Sequence, residues 1–170
     1  MARIDEVKRE NLNPRQQELH DEFLRSRPRK TLTGPFSVLI HTPDIAEPAD
    51  ELVNYYRRTP KLGRKLLELV ILLAVHEPTA LKEGITQDVI DAIRARKRPD
   101  FKTAEEATLY DFVTELLAKK TVSGATFARA KAAFGLEGLI EAVTCAGLYG
   151  MIGFVLNVFD IPPQPGRPLT

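Results

Sequence analysis

Residues Leu66–Gly84 read LLELVILLAVHEPTALKEG. Leu69–Val75 is an unbroken apolar run, with Glu68 just before it and His76 just after it. A short, wholly apolar run marks the most buried element of a soluble domain. Ionisable groups at its ends stand where burial can move a pKa. The spacing predicts a helix from Leu62 to Val75. Pro78 disfavours helical geometry at Glu77, so a break falls near His76. A short helical piece, Thr79 to Glu83, then closes on Gly84, which suits a left-handed cap.

Helix signals continue outward on both sides. Asn13-Pro14 starts a helix, with Asn as cap and Pro in the first turn. Its apolar face carries Leu19, Phe23 and Leu24, it ends near Arg25, and His20 is expected on its surface. Phe36, Val38, Leu39 and Ile40 lie in a connection from Lys30 to Pro43, as a helical turn or an extended piece. Asp44–Arg58 reads as a helix with Ile45, Leu52, Val53 and Tyr56 inward. Downstream, Thr86 can cap Gln87–Arg96, with Val89, Ile90 and Ile93 inside. Thr103 to Glu106 fits a capping box. It opens a helix to about Ala118, with Ala107, Tyr110, Val113, Leu116 and Leu117 at helical spacing. Ser123 caps a helix with Phe127, Ala130 and Phe134 inward that ends at Gly135. The last helix runs from about Glu137 to Phe159, where Pro162, Pro163 and Pro165 stop it.

No strand signal of comparable strength appears. The expected fold is all-α, a single helical domain of six to eight helices around one core. Residues 1–12 are expected to be loosely held and residues 160–170 to form a Pro-rich tail. Ala142, Ala146, Gly150 and Gly153 place small residues at helical spacing on the last helix. That permits close approach of another helix, with internal packing preferred to a subunit contact.

The chain has 170 residues, a formal net charge of +1 and one cysteine, Cys145. Near-neutral charge gives no global pull towards nucleic acid or an anionic membrane. Arg25, Arg27, Arg29 and Lys30 form the densest basic cluster, but no aromatic platform accompanies them, so a solvated loop is expected. A single cysteine excludes an intramolecular disulfide and any Cys-x-x-Cys motif. Cys145, among apolar and small neighbours, reads as an inert core residue. His20, His41 and His76 fall in different elements without ligand spacing, so no metal is expected. The charged N-terminus, MARIDEVKRE, lacks an apolar signal region, and a cytoplasmic location is the default. Ala142–Phe159 carries no formal charge and approaches a spanning length. Its glycines, Asn157 and the absence of a basic or aromatic flank favour a buried central helix over a membrane span.

The order of several segments carries a resemblance. They are NPRQQELHDEF from Asn13, GPFSVLIHTPDIAEPADELVNYYR from Gly34, and LLELVILLAV joined to HEPTALKEGI. DVIDAIRARKRPDF, EATLYDFVTELL, SGATFARAKAAFG and GLIEAVTCAGLYGMIGFVLNVFDIPPQPG follow. Together they resemble the carboxymuconolactone decarboxylase family, which includes the alkylhydroperoxidase D proteins, in a branch without the Cys-x-x-Cys pair. The resemblance implies an alkylhydroperoxidase D-like all-α fold, self-association as a trimer or hexamer, and pockets near subunit contacts.

It also implies a site. In the peroxidase members a glutamate and a histidine relay protons to a cysteine pair; Glu68 and His76 match them. Neither redox cysteine is present. A peroxidase of this type needs one thiolate to attack and a second thiol to resolve, so dithiol peroxidase activity is disfavoured. The decarboxylase members act on a carboxylated γ-lactone without metal or organic cofactor. That chemistry needs an anchor for the carboxylate and a group to move a proton. Glu68 and His76 are the candidate catalytic pair. His41, Arg57 (or its neighbour Arg58), Tyr149 and Asn157 are candidates for binding a small-molecule substrate.

Each has a plainer reading. Glu68 can pair with Arg64 one turn earlier. His76 can cap the helix break, His41 can be satisfied within its loop, and Tyr149 and Asn157 can find core partners. The interval from Glu68 to His76 is also short by about eleven residues, or three turns at about 3.6 residues each. The resemblance thus implies an apparent gap between Val75 and His76, unless the site is remodelled by a deletion or the register differs. On one continuous helix the two groups would lie about 12 Å apart along the axis and roughly 80° apart around it, too far to share a proton. The alternatives to a decarboxylase-like enzyme are a non-catalytic helical assembly module and a thiol peroxidase. Neither nucleic acid nor a membrane is expected as a partner.

Overall fold

A computed structural model describes residues 3–25, 31–58, 60–75 and 80–162. The proline-flanked break at Glu77–Pro78, most of the basic loop cluster, and Pro163 and Pro165 lie outside the described residues. Among the described residues there are seven α-helices and no strand. They are α1 (Pro14–Arg25), α2 (Pro35–Leu39), α3 (Pro43–Arg58), α4 (Arg64–Val75), α5 (Gln87–Arg94), α6 (Ala104–Lys119) and α7 (Gly124–Val158). A short 3-10 turn, Arg9–Asn11, precedes α1.

The described chain divides into two compact units, residues 3–54 with 152–162, and residues 55–151. In the first, Asn13 Oδ1 accepts the Gln16 N–H while Gln16 Oε1 accepts the Asn13 N–H, both at 3.0 Å. This reciprocal cap starts α1 at Pro14, as its sequence predicts. Leu19 and Phe23 are buried, and Phe23 meets Phe36 of α2 edge-on with ring centroids 5.2 Å apart. His20 is buried rather than exposed, because it shares the i, i+3, i+4 stripe of Leu19 and Phe23. The Phe36–Leu39 connection is helical. On α3 the inward stripe is Ala46, Ala49 and Val53, continuing at Tyr56 in the second unit. Ile45 and Leu52 point outward, at 49% and 36% exposure. Two alanines, ambiguous in a hydrophobicity pattern, set the register that the larger residues suggested wrongly.

The second unit is built on α4. Leu67, Leu69, Val70, Ile71 and Leu72 are all at most 2% exposed. Side chains at consecutive positions point all round a helix, so α4 is enclosed on every side over these turns. It packs on α6, whose inner residues are Leu109, Phe112 and Val113. Expected α6 positions Ala107, Tyr110, Leu116 and Leu117 are only half-buried, one step round the helix from the true face. Thr103 Oγ1 accepts the Glu106 N–H at 3.2 Å, which caps α6, and Lys120 ends it with φ 62°. Thr86 precedes α5 without a side-chain cap bond. Residues 80–84 before it form a turn where a short helical piece was expected, but the closure is as expected: Gly84 has φ 90°, and Ile85 N–H donates to Ala80 O at 2.9 Å.

Ser123 Oγ accepts the Thr126 N–H at 3.2 Å and starts α7. Phe127 is 42% exposed, and Thr126 takes the inward position instead. Gly135 breaks the helix with φ 68° and ψ −177°, a conformation open essentially to glycine alone. Gly135→Ala is expected to cost about 1–3 kcal/mol, read as a lower urea midpoint at unchanged m-value. Gly138 is the place of close approach. A Cβ there would stand 2.9 Å from Phe134 Cβ and 3.1 Å from Leu62 Cδ2. Beyond it Leu139, Ala142, Cys145, Ala146, Leu148 and Tyr149 are buried within the unit, so the small residues Ala142 and Ala146 serve internal packing. By length and composition α7 could cross a membrane. Its inner face is nevertheless core, and it carries a buried glutamate, Glu141.

Candidate functional site

Glu68 lies in the second turn of α4 with its side chain 3% exposed. A carboxylate removed from water needs a partner, and the sequence places one a turn earlier. Arg64 Nη2 donates to Glu68 Oε1 at 2.8 Å. The same guanidinium donates from Nη1 to the Tyr56 carbonyl at 2.9 Å, which ties the end of α3 to the start of α4. Nη2 also reaches Glu83 Oε1 at 3.4 Å, in the turn before α5.

A second carboxylate holds the connection between α3 and α4 from the other side. Glu141 on α7 accepts the Lys61 N–H on Oε1 and the Leu62 N–H on Oε2, each at 2.9 Å. Tyr55 Oη donates to its Oε1 at 2.5 Å. Burial alone would push the Glu141 carboxyl up. The Lys61 N–H, the Tyr55 hydroxyl and the Leu62 N–H outweigh burial and take it below the usual carboxylate range. Tyr55 shifts the opposite way: its bond to Glu141 raises the phenol. One turn along α7, Thr144 Oγ1 donates to Ile140 O at 2.6 Å and stands 2.6 Å from Tyr56 Oη. Burial raises the Tyr56 phenol as well.

Cys145 follows Thr144 and is fully buried. Burial, then the negative charges of Glu68 and Glu141, push its thiol up to about 12, against a smaller opposing effect of Arg64. At neutral pH it stays a thiol, which is neither a nucleophile nor a metal ligand. These pairings gather Arg64 and Glu68 of α4, Tyr55 and Tyr56 of α3, Glu141, Thr144 and Cys145 of α7, and Glu83. Elsewhere in the unit Lys65 and Glu106 pair at 2.5 Å across α4 and α6. Burial raises the Glu106 carboxyl, but Lys65 and Thr103 more than offset it.

The other expected site residues are scattered. His76 lies outside the described residues. Tyr149 is buried one turn beyond Cys145 on the same face of α7. Arg57 is exposed on α3. His41 and Asn157 belong to the first unit and are exposed. His41 is fixed through its backbone, its N–H bonding Val38 O at 3.2 Å and its carbonyl accepting Gln16 Nε2 at 3.1 Å. Glu141 and Glu83 are what sequence reasoning missed. Glu141 had a signal: a carboxylate one position before an uncharged run, in a helix read as core, must find partners. Glu83 had none, because its partner stands 19 residues away. Among the described residues no cluster of three or more His, Cys, Asp or Glu could hold a metal.

No family model and no curated protein matches the sequence. Solved structures do match. One is the crystal structure of an alkylhydroperoxidase AhpD core, described as an uncharacterized peroxidase-related protein from Ralstonia eutropha JMP134. It superposes with a TM-score of 0.74 at 15% identity, over 99% of this chain and 98% of that one. The fold is alkylhydroperoxidase D-like. Likeness at this identity is a likeness of backbone, carried here by chain order and helix packing across nearly the full length of both proteins.

Proposed function

We propose that the chain is a cofactor-independent enzyme of carboxymuconolactone decarboxylase type, moving a proton during decarboxylation or lactone opening on a small carboxylated substrate. The observation that carries this reading is the Glu68–Arg64 pair. It joins a carboxylate sealed in the core to a guanidinium whose side chain is 31% exposed. Such a pair couples a proton-transfer group to an anion-binding group, the two functions that this chemistry needs. Glu68 is the proposed base or acid, with His76 as its partner from the segment that follows α4.

The state of Cys145 argues against the thiol peroxidase reading. One protonated, fully buried thiol supplies neither the attacking thiolate nor the resolving partner. Self-association as a trimer or hexamer in the cytoplasm is part of the proposal. An outward row on α7, Leu136, Ile140 and Val143, supports association, being 58%, 54% and 41% exposed at helical spacing.

The test is a screen of γ-lactone carboxylates and β-keto acids for carbon dioxide release or ring opening, run on wild type and Glu68→Gln. Glu68→Gln is expected to lower kcat at least about 100-fold with the circular dichroism unchanged. Equal turnover in the two proteins would refute the role of Glu68. Peroxide-dependent thiol consumption that Cys145→Ser abolishes would instead favour the peroxidase reading.

A further inference from the structure

Arg64 faces two carboxylates of different standing. The Glu68 side chain is 3% exposed and bonded at 2.8 Å. The Glu83 side chain is 32% exposed and reaches the same Nη2 at 3.4 Å, beyond the usual range for an N–H···O bond. The first contact is the stronger one, since breaking it would strand a buried charge. The second is a partly solvated ion pair of the kind that contributes little.

Glu83 is held by a turn that does not depend on that contact. Gly84 N–H donates to Leu81 O at 3.2 Å and Ile85 N–H to Ala80 O at 2.9 Å, while Gly84 adopts φ 90°. The Glu83 side chain can therefore leave Arg64 without unmaking the turn. The guanidinium carries five N–H donors in a planar fork. Tyr56 O, Glu68 and Glu83 are the acceptors it meets among the described residues. Releasing Glu83 frees a donor on the solvent side beside the remaining ones.

We infer that Arg64 is the docking group for the carboxylate of a small anionic ligand, and that Glu83 is an internal stand-in which the ligand displaces. The inference deepens the function proposed above by assigning the anion anchor to Arg64 instead of Arg57. It needs only binding, not turnover. Glu83 then acts as a selectivity filter. A neutral ligand gains nothing by displacing it, whereas a carboxylate replaces one long contact with a charge-assisted pair on the fork. The cost of displacement lowers the affinity of the wild-type protein for every carboxylate.

The experiment is a titration of isotopically labelled full-length protein with levulinate, a γ-keto carboxylate, and with its neutral amide. Levulinate should move the Arg64 Nε–H signal and the Glu83 and Gly84 amides, and the amide should not. Glu83→Gln removes the competing charge at a half-exposed position. It should tighten levulinate binding about threefold, equivalent to about 0.7 kcal/mol. Arg64→Lys keeps the charge but loses the fork, and should weaken binding by a similar factor. Should Arg64→Lys fail to fold, the wild-type and Glu83→Gln titrations decide. Equal response to levulinate and its amide, or unchanged affinity in Glu83→Gln, overturns the inference. Binding that follows the expected pattern without any turnover leaves this assignment standing while the catalytic reading fails. Turnover that is indifferent to Glu83 does the reverse.

Discussion

Glu141→Ala is expected to lose about 2–3 kcal/mol of stability. The substitution strands the backbone N–H groups of Lys61 and Leu62 and the hydroxyl of Tyr55. An unsatisfied donor in buried surroundings costs about 1–3 kcal/mol; the Leu62 N–H bears it in full, whereas Lys61 and Tyr55 are exposed and can turn to water. For a chain of this size the loss corresponds to a fall in Tm of about 7 °C. Glu141→Gln should fall between, because an amide offers one acceptor oxygen where two backbone donors wait, and its NH2 faces the other N–H. A Tm within a degree of wild type in Glu141→Ala would show that the α3–α4 connection is held by something else.

The same carboxylate predicts the acid limb of stability. Its pKa in the folded chain is below the unfolded value, as is that of Glu106. The folded state therefore binds fewer protons, and both groups contribute fully above the unfolded carboxylate pKa of about 4.3. That contribution disappears as pH falls through the folded values. Urea midpoints measured from pH 7 downward should decline below about pH 5 in wild type, and less steeply in Glu141→Ala.

Arg64→Met should cost about 3 kcal/mol for a different reason. Removing one partner of a buried pair leaves the other charge in the core, and the Tyr56 carbonyl loses its donor as well. The diagnostic is the double variant Arg64→Met/Glu68→Gln. If the stranded charge is the cost, neutralising Glu68 restores more than half of the lost stability, and a double-mutant cycle reports a coupling of about 1–3 kcal/mol. Additive losses in chemical denaturation would assign the effect to the packing of the Arg64 stem and the Tyr56 bond.

Several parts of this protein are local properties of its sequence. Asn13-Pro14, Thr103 and Ser123 open helices because a side-chain oxygen reaches an N–H only a few residues on. Gly84 and Gly135 mark breaks because their backbone angles are ones that other residues rarely adopt. The all-helical fold follows from such punctuation together with apolar residues at helical spacing. The Arg64–Glu68 pair was equally legible, since one helical turn separates the two residues. A lone cysteine among apolar neighbours was enough to expect an unreactive thiol.

Faces and distant partners were another matter. Ile45, Leu52 and Phe127 look inward by hydrophobicity and are exposed, while His20 looks solvent-facing and is buried. A helix places several stripes within a few tens of degrees of one another, and only the neighbouring element selects among them. The site divides in the same way. Sequence alone supplied a carboxylate at Glu68 with its arginine, and the absence of a cysteine pair. Tertiary structure brought Glu83 to Arg64 and set Glu141 against the Lys61–Leu62 backbone, 79 and 80 residues away. Capping and i,i+4 pairing act within one turn of chain, where geometry follows from sequence spacing. A bond between elements this far apart exists only once the helices that carry them have packed.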